Sequence, residues 1–336
     1  MKRWTEAQAN AWYRDIEWPV GMNYVPSTAV NSTEMWQAVS FDPDTIEREL
    51  KWARDVGYNS LRVFLQYIVW ENERGGFLET FERFLKIADA NRMTVLPILF
   101  DDCAFDAYKN PTLGTQEVPV EGVHNSRWTP SPGFDIADDP VCQSALKAYV
   151  DAIIGTYRDD RRILAWDLYN EPGNSDRLNA SLPLLVNVFN WARANAPAQP
   201  LTAGVWLYND DSVYRATLEL SDVISFHGYT TIERTREIIT SLAALNRPLL
   251  NTEWLQRQTG NTVFDHIPLF HDEKIACFNW GFVVGKTQTN LHWSTMNGGA
   301  PDPWPAVWQH DMLLADGSPY DPEEIALLKA HTRAKA

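Results

Sequence analysis

Eight apolar runs punctuate this chain, and a stretch with helical periodicity follows each of them. The runs are "VGMNYVP" (20–26), "NSLRVFL" (59–65), "MTVLPILF" (93–100), "ILAWDLYN" (163–170), "PLTAGVWL" (200–207), "DVISFHGY" (222–229), "PLLNTEW" (248–254) and "IACFNWGFV" (275–283). Continuous apolarity over so few residues suits parallel strands covered on both faces. Helices are predicted over 42–57, 77–91, 141–157, 181–195, 211–220, 232–245 and 261–271, with a last one from Pro322. Strict strand–helix alternation over the whole length predicts one α/β domain, a (β/α)8 TIM barrel spanning 1–336, rather than two domains. A doubly wound open sheet is the rival fold. It usually has fewer strands and a glycine-rich first turn, whereas the first turn here reads "NYVPSTAVNST".

The best marked helix is "DPDTIERELKWARDVG". Asp42 suits its cap, Pro43 its first turn and Gly57 the position beyond its end. Two connections are long, 101–138 and 284–321. Both follow strands, so both belong to the C-terminal face of a barrel, where active sites are built.

The strand ends on that face are polar. Arg62 ends the second strand, Asn170 and Glu171 the fourth, His227 and Tyr229 the sixth, Glu253 the seventh and Trp280 the eighth. Two carboxylates facing each other across one cavity suit cleavage of a glycosidic bond. That reaction needs a proton for the leaving oxygen and a negative group opposite the developing oxocarbenium ion. It requires no metal and no cofactor.

Composition excludes several other classes. The net charge is −15 and no basic stripe is present, so neither nucleic acid nor an anionic membrane surface is an expected partner. No stretch reaches the roughly 18 apolar residues of a membrane span. Cys103, Cys142 and Cys277 fit no zinc spacing and no disulfide framework, which points to a reducing compartment. With no signal-like segment in "MKRWTEAQANAWYRDIEW", a cytoplasmic protein is expected. The 15 tryptophans fit either core filling or stacking on sugar rings. Oligomeric state stays open.

These residues give the chain a resemblance to clan A glycoside hydrolases, nearest the cellulase-like family five. "NEP" ending the fourth strand resembles that family's acid/base motif, and Glu253 its nucleophile. Arg62, His227-x-Tyr229 and Trp280 resemble its supporting residues. "LFDDCAF", "GVHNSRW" and "GKTQTNLHW" depart from it and suggest a divergent, xylanase-like branch. The resemblance implies a retaining double displacement on a carbohydrate substrate. Glu253 attacks the anomeric carbon, and Glu171 protonates the leaving oxygen and then activates water. Arg62 and Tyr229 keep Glu253 ionised, which raises the proton affinity of Glu171. Asn170 holds the sugar 2-hydroxyl, His227 lines the same subsite and Trp280 forms its floor.

Other residues are expected to touch the sugar. They are Asn23, Asp102, His124 and Asn125, then Lys286 and Trp293 in the last loop, with Lys286 reading an anionic or hydroxyl-rich group. Arg62 as a structural ion pair, His227 and Trp280 as core, and Lys286 as a solvated lysine are the plainer alternatives. Cys103 reads as packing, and His310 and Asp311 as pins of the last loop. Long walls favour an exo-acting glycosidase over an endo-acting glycanase. A metal-dependent barrel isomerase, a non-catalytic sugar-binding barrel and a transglycosylase are the competing functions.

Overall fold

A computed structural model describes residues 2–105, 108–297 and 304–332. Its strands are β1 (Val20–Asn23), β2 (Ser60–Phe64), β3 (Thr94–Asp101), β4 (Trp166–Asn170), β5 (Leu201–Thr202), β6 (Gly204–Val205), β7 (Ile224–His227), β8 (Leu249–Trp254) and β9 (Ala276–Trp280). They form one parallel sheet in the order β5-β4-β3-β2-β1-β9-β8-β7-β6. The two strands at the ends of that order are separated in sequence by Ala203 alone. The fifth predicted run is therefore a single pass interrupted at its middle. Its first half pairs with β4, through Asp167 and Thr202, and its second with β7, through Gly204 and Ser225. This change of neighbour closes the barrel, so nine strands are the eight expected runs.

Helices fill the crossovers as predicted, with ends shifted by a few residues. Helix Pro43–Val56 has the expected punctuation. The Asp42 side chain accepts from Thr45 N, and Gly57 adopts φ 108°, which glycine alone takes without strain. Short helices Ser32–Trp36 and Tyr67–Glu73, inside the turns after β1 and β2, were not predicted. Strands are mostly shorter than the apolar runs; the first, expected to reach Pro26, ends at Asn23.

Helix Glu6–Asp15 was also not predicted. It opens with a reciprocal cap in which Thr5 and Gln8 satisfy each other's backbone. Its Ala9, with Trp4, Trp12, Tyr13 and Ile16, packs on Leu96, Leu164, Ala165, Val223, Leu250, Ala276 and Phe278. Those partners lie just before the strands or within their first three residues, so the helix corks the N-terminal mouth. Among the described residues no helix is long and apolar enough to cross a membrane.

The two long loops hold each other at the opposite mouth. Asn125 N donates to Thr287 O at 2.7 Å, His124 N to Thr295 Oγ1 at 2.9 Å, and Gln288 Nε2 to Val120 O at 2.7 Å. These bonds turn two connections into one continuous wall.

Candidate active site

A cavity of about 490 Å³ opens at the C-terminal ends of the strands. Arg62, fully buried, lies outside the lining but holds two residues that belong to it. Nη1 donates to Glu253 Oε1 at 2.7 Å and to Asn23 Oδ1 at 2.7 Å. Nη2 donates to Asn170 Oδ1 at 2.7 Å and to Asp167 Oδ2 at 2.8 Å, and Nε donates to Asp167 Oδ2 at 2.9 Å. A guanidinium carries five N–H groups, and each has a partner here. Arg62 thus ties β1, β2, β4 and β8 together while fixing Glu253 and Asn170.

Glu253 takes a second donor on its other oxygen, the Tyr229 hydroxyl at 2.9 Å. The sheet register shifts beside it, between Phe226 and His227 on β7 and between Asn251 and Trp254 on β8. Such irregularities re-aim side chains next to sites.

Glu171 stands at φ 43°, left-handed backbone that is uncommon for a residue with a side chain. The turn that holds it there is pinned from below. Asp102 accepts from Gly173 N at 2.8 Å and Tyr169 Oη at 2.7 Å, accepts from Ser181 Oγ, and pairs with Arg177 at 2.9 Å. The Glu171 carboxylate then meets three partners. Oε1 lies 2.6 Å from His227 Nδ1. Oε2 accepts from the Cys103 thiol at 3.1 Å and from Asn174 Nδ2. One carboxylate oxygen each of Glu171 and Glu253 and a His227 nitrogen all lie within 4.8 Å of one another.

Burial dominates the electrostatics. It works to raise Glu171, but the hydrogen bond and charge of His227, helped by Cys103 and Asn174, outweigh it and hold Glu171 below the usual carboxylate range. Burial pushes Glu253 above that range, against the pull of His227 and Arg62, and the charge of Glu171 adds to the rise. Asp167 is raised by burial despite Arg62. Asp101, which accepts from Asn170 Nδ2 and Trp128 Nε1 at 2.8 Å each, is pushed by burial up to about 7. The expected order, an ionised Glu253 raising Glu171, is thus reversed, because His227 faces Glu171 at contact distance.

The cavity brings together Glu171, Glu253, Asn170, His227, Tyr229, Trp280, His124, Asn125 and Trp293 from the sequence-predicted set. Trp280 packs edge-on against Phe64 and Trp128, with centroids 5.5 and 5.6 Å apart, and forms one side. His124 is tied by Nδ1 to Leu291 O at 2.8 Å, and burial pushes it down to about 4.

Four expected contacts take other roles. Asn23 does not line the cavity; its Nδ2 donates to Thr252 O at 2.8 Å and its Oδ1 is held by Arg62. Asp102 sits beneath the wall and braces the Glu171 turn. Lys286 turns away to Glu34, at 2.6 Å, because the first loop offers it a carboxylate. Arg62 is both the structural ion pair and the support of Glu253, so its two readings coexist.

Sequence reasoning missed Asp167, Cys103 and Asn174 as partners of the site, and Tyr208 and His310 as parts of its lining. A charged residue inside each of two apolar strands, Arg62 and Asp167, was the available signal for a buried pair. The side of the cavity near Tyr208 carries no such signal in sequence.

The sequence matches neither a known protein family nor a curated protein. The fold is shared with solved mannosidases and mannanases of glycoside hydrolase family 5. A GH5_18 enzyme from Streptomyces cattleya in complex with Manβ1-4GlcNAc is 13% identical, with TM-score 0.64, over 95% of this chain and 81% of that one. The exo-β-1,4-mannosidase Op5Man5 from Opitutaceae bacterium strain TAV5 is 18% identical, with TM-score 0.64, over 94% of this chain; the match spans 60% of that enzyme. The endo-β-1,4-mannanase from Thermotoga petrophila is 14% identical, with TM-score 0.60, over 96% and 77%.

Proposed function

We propose that this chain is a retaining β-glycosidase that removes a terminal sugar from short oligosaccharides or glycosides. One observation carries the reading. Oxygens of Glu171 and Glu253 approach within 4.8 Å, each held by a different set of donors. Retaining enzymes space their carboxyls by about 5–5.5 Å, and inverting ones by roughly 6.5–9.5 Å to admit water.

Glu253, oriented by Arg62 and Tyr229, attacks the anomeric carbon and becomes an ester. The leaving oxygen takes the proton that lies in the His227–Glu171 hydrogen bond. Water then attacks the anomeric carbon while Glu171 takes its proton, which breaks the ester to Glu253 and releases the sugar. Forming the ester removes the Glu253 charge, so the positive partners of the site are left facing Glu171 alone. Asn170, with Oδ1 locked on Arg62 and Nδ2 donating to Asp101, offers the 2-hydroxyl the second Nδ2 hydrogen, which otherwise meets the Cys103 sulfur at 3.4 Å. The hydrogen-bonded wall of the two long loops supports a closed pocket and hence exo action. The solved neighbours include both an exo-mannosidase and an endo-mannanase, so β-mannosides are the first glycosides to try.

The rival is a divalent ion held by Glu171, His227 and Glu253. An ion there would face the Arg62 guanidinium, which already occupies a Glu253 oxygen at 2.7 Å. That charge arrangement favours the acid–nucleophile pair, and activity is expected to survive a chelator.

The test is a panel of aryl β-glycosides, β-mannosides included, with wild type, Glu253→Ala and Glu171→Ala. The first variant should be inactive on all, and the second active only where the leaving group needs no proton. NMR should find the first-formed product with retained anomeric configuration. Cleavage by Glu253→Ala at the wild-type rate, or an inverted product, removes the mechanism.

A further inference from the structure

Cys103 belongs to neither the sequence motif nor the fold logic, yet its sulfur sits on the acid. Sγ donates to Glu171 Oε2 at 3.1 Å and receives Asn170 Nδ2 at 3.4 Å. Its own backbone N–H donates to Asp101 Oδ1 at 2.9 Å, which ties its position to the end of β3. It lines the cavity. We infer that Cys103 is a positioning residue of the site. Its thiol orients the Glu171 carboxylate through a hydrogen bond weak enough to be exchanged for a substrate oxygen.

Oε2 of Glu171 carries two donors and Oε1 one, so a leaving-group oxygen that approaches on the Oε2 side engages Glu171 by displacing a donor. His227 is at 2.6 Å, and Asn174 holds the other oxygen with an amide. A thiol is the weakest donor of the three. It holds the carboxylate in plane and yields at least cost. Burial, together with the charges of Asp101 and Glu171, pushes the thiol well above its ordinary range, so it keeps its proton and remains a donor. It is correspondingly poor as a nucleophile. The other titratable groups facing Glu171 are His227, Glu253, Asp101, Tyr208 and Tyr229.

This rests on Glu171 being the proton donor of a glycosidase, so the test has one arm that needs no turnover. Infrared difference spectra of carboxyl-labelled Glu protein, with Glu171→Gln subtracted, read the titration of Glu171 directly. Cys103→Ala should raise its midpoint and Cys103→Ser should lower it, because a hydroxyl donates more strongly than a thiol. The Cys103 S–H stretching band should move in Glu171→Gln.

The second arm uses aryl β-glycosides. Cys103→Ser should lower kcat/KM roughly 10-fold or more for poor leaving groups and leave activated ones within about 2-fold. Cys103→Ala should shift the pH profile upward, with serine reversing the direction. If the Glu171 midpoint is the same in all three proteins, the inference is overturned, whatever the activity. If no glycoside is cleaved but the midpoints move as stated, the glycosidase reading fails and the thiol contact stands.

Discussion

Arg62 presents Nε and Nη2 to the same oxygen of Asp167, at 2.9 and 2.8 Å, while its Nη1 holds Glu253. Asp167 is fully buried, so the pair is a charge bridge in the barrel interior. Breaking such a bridge from one side costs about 3–5 kcal/mol; Glu253 still faces the guanidinium here, which places Asp167→Ala at the lower end of that range. Asp167→Ala is therefore expected to lose about that much stability in urea unfolding, although Asp167 does not line the cavity. A loss below about 1 kcal/mol, the scale of an exposed pair, contradicts the account.

His227 opposes the burial that works to raise Glu171. Removing it leaves burial unopposed, so in His227→Ala the Glu171 midpoint should rise and the basic limb of the pH–rate profile should move upward. Activity at neutral pH should fall roughly 100- to 10,000-fold, the range for a proton-transfer partner. An unchanged profile with reduced amplitude shows that the imidazole acts only by shape.

Gly204 makes room for the same imidazole. A methyl group there would lie 2.8 Å from His227 Nε2. Since His227 is held by Glu171, it cannot move without carrying that carboxylate along. Gly204→Ala should cost roughly 100-fold in kcat/KM, as misplacement by about 1 Å does, with a change in melting temperature too small to account for it. Near wild-type turnover sinks this claim.

Asp311 offers a pH test that is read as stability and not as turnover. Buried, with Thr289 Oγ1 donating at 3.0 Å, it is raised from 3.8 to about 7. The folded state then binds the proton more tightly than the unfolded chain. The resulting penalty is absent below about pH 4, grows as pH rises, and is complete above about pH 7. Asp311→Asn removes it. The stability of the variant relative to wild type should rise between pH 4 and 8, by on the order of 4 kcal/mol at about 1.4 kcal/mol per unit. A flat difference across that range is the contrary result.

How far the sequence could be read follows from what each feature depends on. Strand runs and their polar ends are local, so Arg62, Asn170, Glu171, His227, Tyr229, Glu253 and Trp280 could be found from one chain. Closure at Ala203 was not visible, since a strand that changes neighbour has the same composition as one that does not. Lys286, Asp102 and Asn23 were misdirected because a side chain's aim depends on what else is near. Glu34 lies 252 residues from Lys286 in sequence. The cap formed by Thr5 and Gln8 is local and legible, but helix Glu6–Asp15 precedes the first strand and has no place in the alternating pattern.

That helix bears on how the chain assembles. Trp4 N donates to Asp222 at 2.8 Å, Arg247 reaches back to Trp4 O at 2.9 Å, and Asn10 donates to Asn246 O at 2.9 Å. Every socket for the cork comes from β3 or later. Residues 4–16 therefore find their place only once the later strands are in position, so this helix closes the lower mouth late in assembly.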